Sequence, residues 1–241
     1  SSKYLVEIAK FKSKKVLAPN TPVEEKDLQK GDILSIKVFS QDNCISQNFA
    51  ESHIINIDIT DDAELGNILN KRLKEIKNQL RKISEYQAKI RQDLQVFASH
   101  SDDLESGDIA AVLQLCFSQR AVSRDVSIQY EDIADILQTV ENNNIWDIYT
   151  RQNIEKAKSI LKDISFEEDA TQSGQYKGLS PDIAKIISDS YQILKKEQSK
   201  GKEMLNDSVK KQNMVIEELE KIITMLHEWE DFNEVVRDVE G

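Results

Sequence analysis

Residues 62–98 read DAELGNILNKRLKEIKNQLRKISEYQAKIRQDLQVFA, and their apolar side chains recur at alternating steps of four and three. This row, which we call the first seam, consists of Leu69, Leu73, Ile76, Leu80, Ile83, Gln87, Ile90, Leu94 and Phe97. Only Gln87 is polar. A heptad row of this length predicts an α-helix that packs lengthwise against another helix. Asp61 and Glu64 are typical of an acidic helix start.

The last long segment, residues 181–239, carries a second seam with more interruptions. Its apolar positions are Ile187, Tyr191, Leu194, Leu205, Val215, Leu219, Ile222, Leu226, Trp229 and Val236, with Gln198, Gly201, Ser208, Gln212 and Asn233 between them. Ser180 and Pro181 are typical of an N-cap and a first helical position. The pattern predicts one long C-terminal helix. We expect a hinge at Gly201, because glycine costs about 1 kcal/mol relative to alanine inside a helix.

The flanks of the two seams carry opposite charges. The first helix is basic, from Lys71 to Arg91, whereas the chain after Glu217 is mainly acidic. This complementarity predicts antiparallel pairing within one chain, with Lys71–Lys82 near Glu228–Asp238. The same seams could instead pair between chains and give an oligomer. The basic flank could also meet an anionic partner, either nucleic acid or a lipid surface.

The N-terminal residues 1–60 have a different pattern. Leu34, Ile36 and Val38 alternate with polar residues, as do the isoleucines of 55–59, and both runs predict half-buried strands. Residues 4–11 suggest a third strand. Thr21-Pro22-Val23-Glu24 matches a capping box and predicts a short helix that ends at Gly31. We therefore expect a small α+β element.

Residues 99–164 predict a helical insert between the two long helices. It begins near Ser106, loosens around residues 123–127, breaks at 142–144 and continues as a helix to Ile164. The apolar stretch Ile109–Phe117 should be its most buried part. Residues 165–180 are predicted to be a loop. The fold class is therefore mostly α: an elongated helical bundle or coiled coil built on residues 61–98 and 181–239.

The sequence contains no motif that indicates catalysis, and we expect no cofactor and no metal. The three histidines lie in separate segments, and Cys44 and Cys116 are the only two cysteines. The net charge, 32 − 43 = −11, disfavours nucleic acid as a partner. No apolar run reaches the roughly 18 residues of a membrane span. For the compartment, we expect the cytoplasm, with secretion as the alternative.

These patterns favour a non-enzymatic protein–protein interaction or assembly subunit that acts through long amphipathic helices, with protein partners or its own copies. The candidate interaction residues are Leu69, Leu73, Ile76, Leu80, Ile83, Ile90, Leu94, Val215, Leu219, Ile222, Leu226 and Trp229. The alternative is a soluble subunit of a secreted helical pore-forming toxin or translocation apparatus. In that case the helices would rearrange before any membrane contact.

The first seam can be tested by comparing Leu80→Asp with Lys82→Asp. Leu80 lies in the seam and Lys82 lies beside it, so only the first variant buries an unpaired carboxylate, which costs several kcal/mol. We expect thermal unfolding to show a far larger loss of stability for Leu80→Asp. Equal melting temperatures would mean that the apolar face is assigned wrongly.

Overall fold

The computed structural model describes residues 12–15, 24–37, 39–41, 49–145, 148–165 and 178–240. The chain divides into two compact units, Ser1–Ile68 and Leu69–Gly241. The first unit holds three antiparallel strand pairs and the start of the first helix. The second holds the remaining helices. The protein is mostly helical, as the heptad patterns predict.

Among the described residues of the first unit, short strands pair two by two: β1 Lys12–Lys15 with β2 Glu24–Asp27, β3 Ile33–Ile36 with β6 Ile55–Asp58, and β4 Phe39–Gln41 with β5 Phe49–Glu51. The two strands predicted from alternating residues form the β3–β6 pair. In its register Leu34 lies opposite Ile57, and Ile36 lies opposite Ile55. Because opposed residues share a face, one face of this pair is apolar.

The short helix predicted after Thr21 is wrong, because residues 24–27 form strand β2. In the β1–β2 register Lys12 lies opposite Asp27 and Lys15 opposite Glu24. Opposite charges at opposed positions favour strand pairing, so the pairing of β1 with β2 outweighs the local capping signature. Gly31, at a φ of 89°, serves a turn and does not end a helix. The strand suggested for residues 4–11 lies outside the described residues.

The described part of the chain contains the helices α1 Asp62–Ala98, α2 Ser106–Asn143, α3 Ile148–Ser165, α4 Leu179–Leu194 and α5 Gln198–Glu240. The acidic start of α1 is confirmed, since the backbone N–H of Glu64 donates to Asp61 Oδ1 at 2.7 Å. Lys30 Nζ lies 2.8 Å from carboxylate oxygens of both Asp61 and Glu64. The hydrogen bond from Lys30 lowers the pKa of each carboxyl, and the hydrogen bond to Asp61 raises the pKa of Lys30.

Helix α2 is continuous where the sequence predicted a loosening at residues 123–127. Val122 and Val126 are both fully buried and lie one turn apart, so this turn packs into the core. The predicted break at the asparagines is confirmed, because α2 ends at Asn143 and Asn144 adopts a left-handed conformation with φ 53°. Asparagine is among the few residues that tolerate this conformation.

The single C-terminal helix predicted for residues 181–239 is wrong. The chain turns at residues 195–197, so that α4 and α5 form an antiparallel hairpin in which Asp182 pairs with Lys211 at 2.6 Å. The turn precedes the expected hinge at Gly201, which is helical and buried. Gln198 is the first residue of α5, and its side chain stabilises this helix start. Its Oε1 accepts from the backbone N–H of Leu104 at 2.6 Å, and its Nε2 donates to the Leu104 carbonyl oxygen at 2.9 Å.

Helix α1 runs antiparallel to both α2 and α5. Along α2, Gln87 contacts Gln119 and Arg72 contacts Asp135. Along α5, Ser84 contacts Glu220 and Arg91 contacts Asn213. The antiparallel direction relative to the C-terminal helix agrees with the charge-based prediction, although the side chains from residue 229 onwards lie outside the described part. A long coiled coil of two helices is not confirmed, because α1 packs against two helices.

Gly201 and Gly66 provide a matched test of the α4–α5 turn. A Cβ added at Gly201 would lie 2.6 Å from Cγ and Cδ2 of the buried Leu194, whereas one at Gly66 would meet nothing within 4 Å. Alanine should improve helix propensity at both sites by up to about 1 kcal/mol. We expect Gly66→Ala to raise the free energy of unfolding. Gly201→Ala should lower it, because the overpacking term of about 1–3 kcal/mol exceeds the propensity gain.

Urea denaturation of the two variants beside the wild type gives the comparison. A stabilising Gly201→Ala would contradict the close approach of α5 to Leu194. It would also return Gly201 to the role of a flexible hinge, as the sequence suggested.

Candidate functional site

Four polar side chains from four different helices meet in the interior of the helical unit. Gln87 comes from α1, Gln119 from α2, Ser180 from α4 and Gln212 from α5, and each has a relative exposure of 0%. We call them the glutamine cluster. Buried amides of this kind are costly unless their hydrogen bonds are made within the protein.

Gln119 is the centre of the cluster. Its Oε1 accepts from Gln87 Nε2 and from Gln212 Nε2, each at 3.0 Å. Its Nε2 donates to Gln87 Oε1 at 2.8 Å and to Ser180 Oγ at 2.9 Å. Both protons and both lone pairs of this one amide are therefore used. One side chain of α2 thus cross-links α1, α4 and α5.

The cluster leaves one polar atom without a bond among the described residues, the Oε1 of Gln212. An unsatisfied buried acceptor costs about 1–3 kcal/mol, so Gln212 is held here by its other bond and by the surrounding packing. Ser180 has a different role from the predicted N-cap. The cap position is taken by Gly178, and the hydroxyl of Ser180 lies in the first turn, where it accepts from Gln119.

Sequence reasoning marked Gln87 and Gln212 as interruptions of two apolar seams and missed Gln119 and Ser180 as their partners. The seams do contain one signal of such a cluster: a polar residue at an otherwise apolar core position often contacts a polar residue on the facing helix. Nothing in the local pattern of α2 identifies Gln119 as that partner, because α2 is apolar on several faces. Only the packing of the four helices brings these side chains together.

The candidate interaction residues face inwards. The seven candidates from the first seam and four of those from the second are buried, with exposures of 8% or less: Leu69, Leu73, Ile76, Leu80, Ile83, Ile90, Leu94, Val215, Leu219, Ile222 and Leu226. The side chain of Trp229 lies outside the described part. Within this chain the seams therefore form the core of the helical unit, and their use by a partner requires that helices separate.

A groove runs between α1 and α2 on the outside of this core. Gln79, Lys82, Ile83 and Tyr86 line it from α1, and Val122, Asp125, Ile128 and Gln129 line it from α2. Its volume is about 330 Å³. Ile83 and Val122 are buried at its floor, whereas Tyr86 is 41% exposed and Ile128 is 47% exposed. We call it the α1–α2 groove. Large apolar side chains that are exposed inside a concave surface mark contact sites more often than scattered ones do.

The outer face of α1 is basic beside this groove. Lys71, Arg81, Lys82 and Lys89 are exposed, and none of them has an ion pair with another described residue. Arg72 differs, since it reaches Asp135 of α2 at 2.9 Å. The carboxylate that lines the groove, Asp125, is paired with Arg124 at 3.0 Å. The exposed edge of the groove on the α1 side therefore has a net positive charge, although Glu85 lies between Lys82 and Lys89.

The glutamine cluster predicts a strongly non-additive set of core variants. Gln119→Leu leaves Gln87, Gln212 and Ser180 buried without their shared partner, so we expect a loss of about 2–4 kcal/mol in the free energy of unfolding. A fourfold variant removes every member of the cluster: Gln87→Leu/Gln119→Leu/Ser180→Ala/Gln212→Leu. It should recover most of that loss, because replacing a whole set of buried polar partners by apolar groups is often neutral or stabilising. Urea denaturation measures both. Losses that simply add across the four positions would contradict a connected cluster.

The described residues contain no group of three or more His, Cys, Asp and Glu side chains that could hold a metal ion. Burial raises the pKa of the Cys116 thiol, which is packed in the core and donates to the Ala184 carbonyl oxygen at 3.2 Å. None of the described helices is both long and apolar enough to cross a membrane. No protein-family model, curated protein or solved structure matches this chain.

Proposed function

We propose that this protein is a non-enzymatic protein–protein interaction or assembly subunit that acts through its long amphipathic helices. The observation that carries the proposal is the α1–α2 groove, which combines exposed apolar side chains from two long helices with exposed cations of α1. A helix of 37 residues spans about 55 Å, which is enough for an extended contact surface. The glutamine cluster supports the proposal, because a fixed register between helices keeps such a surface constant in shape.

A second copy of the chain is one class of partner. Helix α1 is the element suited to exchange, because it contacts α2 and α5 through long side chains. The backbone of α4 approaches those of α2 and α5 much more closely. If α1 left its own bundle and docked in another, the contacts of the first seam and the two hydrogen bonds between Gln87 and Gln119 would be remade between chains. Domain exchange of this kind costs little, since the same interactions form within one chain or between two.

Paired cysteines separate exchange from intrachain packing. Ser84→Cys with Glu220→Cys, on a background of Cys44→Ser and Cys116→Ser, places two thiols on facing sides of α1 and α5, where Ser84 Oγ now donates to Glu220 Oε1 at 2.8 Å. Because the two backbones are held apart by long side chains, the coupling agent is a bifunctional maleimide with a spacer, and we expect it to join the thiols within one chain at low protein concentration. Arg91→Cys with Asn213→Cys is the second pair in the same register. A crosslinked dimer whose yield rises with concentration would identify exchange of α1 as the route to assembly.

Partner binding is tested by photo-crosslinking from defined surface positions in the cells of origin. A benzophenone side chain replaces Tyr86 or Ile128 in the groove, or Lys210 on α5 as the control. We expect the two groove positions to capture the same discrete protein and the control position to capture none. A uniform background from every position would contradict an interaction subunit. A discrete partner captured only from another surface would support the proposed function but place the contact site outside the α1–α2 groove.

A second candidate function is that of a soluble subunit of a helical pore-forming or translocation system. The observation that favours it is the apolar stretch from Ile109 to Phe117, of which Phe117 is 50% exposed on the surface of α2. Membrane contact would require that α2 leaves the bundle, because Val112 and Cys116 are buried. Leakage of a dye from anionic liposomes, with and without captured partners, tests it, and Phe117→Ser is the matched variant.

A further inference from the structure

We infer that the α1–α2 groove binds one acidic amphipathic helix of a partner protein. This inference rests on the proposed function and gives its partner a chemistry. The groove has the shape that a third helix requires, since two antiparallel helices leave a shallow channel along their junction. The two helices are adjacent beyond both ends of the groove. A hydrogen bond joins Gln87 to Gln119 at one end, and another joins Arg72 to Asp135 at the other.

The apolar part of the groove supplies the anchor points. Ile83 and Val122 form its floor, and Tyr86 and Ile128 stand on opposite edges, one on each helix. A helix that lies in the channel would bury both edges against an apolar stripe of its own, as in other helix-in-groove complexes. Tyrosine is among the residues that contribute most to such contacts, because its ring buries a large area at a small cost in conformational entropy.

The charge of the groove selects the flank of the partner helix. Lys82 and Lys89 lie four residues before and three residues after Tyr86, so the two cations stand on the same side of α1 as the ring. Asp125 is already neutralised by Arg124. Three carboxylates lie on this side of α1: Glu85 stands between the two lysines, three residues after Lys82 and four before Lys89, and Glu75 and Asp93 lie further along at either end. The two lysines outnumber Glu85, so the α1 side of the groove keeps a net positive charge beside Tyr86, and an acidic flank is favoured over a basic one.

A protein helix fits these features better than a nucleic acid does. Phosphate binding uses a row of cations, whereas the groove here is lined by four apolar side chains and two glutamines, with Lys82 as its one lining cation. The net charge of −11 also repels a polyanion from the rest of the surface. A short acidic helix is repelled less, because it carries fewer charges and buries apolar surface.

The test uses two synthetic helical peptides of about 18 residues, or five turns. Both peptides have the same leucine stripe along one face. The positions that flank the stripe are all Glu in one, the Glu peptide, and all Lys in the other, the Lys peptide. Fluorescence anisotropy with the full chain should show binding of the Glu peptide and at least ~tenfold weaker binding of the Lys peptide, which corresponds to about 1.4 kcal/mol. Added salt should reduce this preference, because the cations are exposed.

Variants locate the binding to the groove. Lys82→Glu with Lys89→Glu should reverse the preference between the peptides, and Tyr86→Ala should weaken the Glu peptide by about tenfold. Lys210→Glu is the matched control, since it makes the same kind of charge change at an exposed lysine of α5 and should leave both affinities unchanged. Circular dichroism of each variant verifies that the helices are intact.

Several results would overturn the inference. Equal affinity of the two peptides would contradict the preference for an acidic helix. Absence of binding by either peptide would contradict the groove as a binding site for a helix. Binding that Tyr86→Ala and the double charge reversal leave unchanged would place the contact elsewhere. Tighter binding of an oligonucleotide or of anionic vesicles through the same lysines would replace the partner class. If photo-crosslinking still captured a discrete protein from another surface, the proposed function would stand without this groove.

Discussion

The hydrogen bonds of a single buried amide hold the helical unit in register. Gln119 uses all four of its bonding positions to reach side chains on α1, α4 and α5. Apolar contacts alone would tolerate a sliding of one helix along another, because leucine and isoleucine side chains pack in many similar ways. A buried amide does not, since a shift by one turn would leave it unbonded at a cost of about 1–3 kcal/mol per group. The cluster therefore contributes more to the uniqueness of the packing than to its strength.

The helices around this cluster pack in two ways. Helix α4 approaches α2 and α5 closely, and small residues such as Ala184, Ser190, Ser208 and Gly201 are buried on α4 and α5. Helix α1 is attached by long side chains, from the leucines of its seam to Arg72 and Arg91. Longer side chains separate the helix axes and leave a channel at the surface. The α1–α2 groove is thus a consequence of how α1 is held.

This arrangement links the interior to the surface that we propose for binding. Gln87 and Tyr86 are adjacent in sequence but point in different directions, one into the glutamine cluster and the other into the groove. The same turn of α1 is therefore fixed from the inside while it displays an aromatic ring on the outside. Because the anchor is preorganised, its own side chain loses less conformational entropy when a partner binds. Whether the partner is another protein or a second copy, it would meet a surface whose spacing is set by the core.

Local patterns in the sequence determined the helical class, the extent of α1, the two strands of the β3–β6 pair and the inward face of each seam. Heptad spacing and residue alternation are sufficient for these, because each depends only on neighbours along the chain. The tertiary structure decided the rest. The C-terminal pattern is divided at residues 195–197 because α5 folds back on α4, where Gly201 meets Leu194. Residues 24–27 are a strand because β1 pairs with them. Gln119, Ser180 and the groove gain their roles from contacts between residues far apart in the chain, such as Gln119 with Gln212, and such contacts leave no periodic signal.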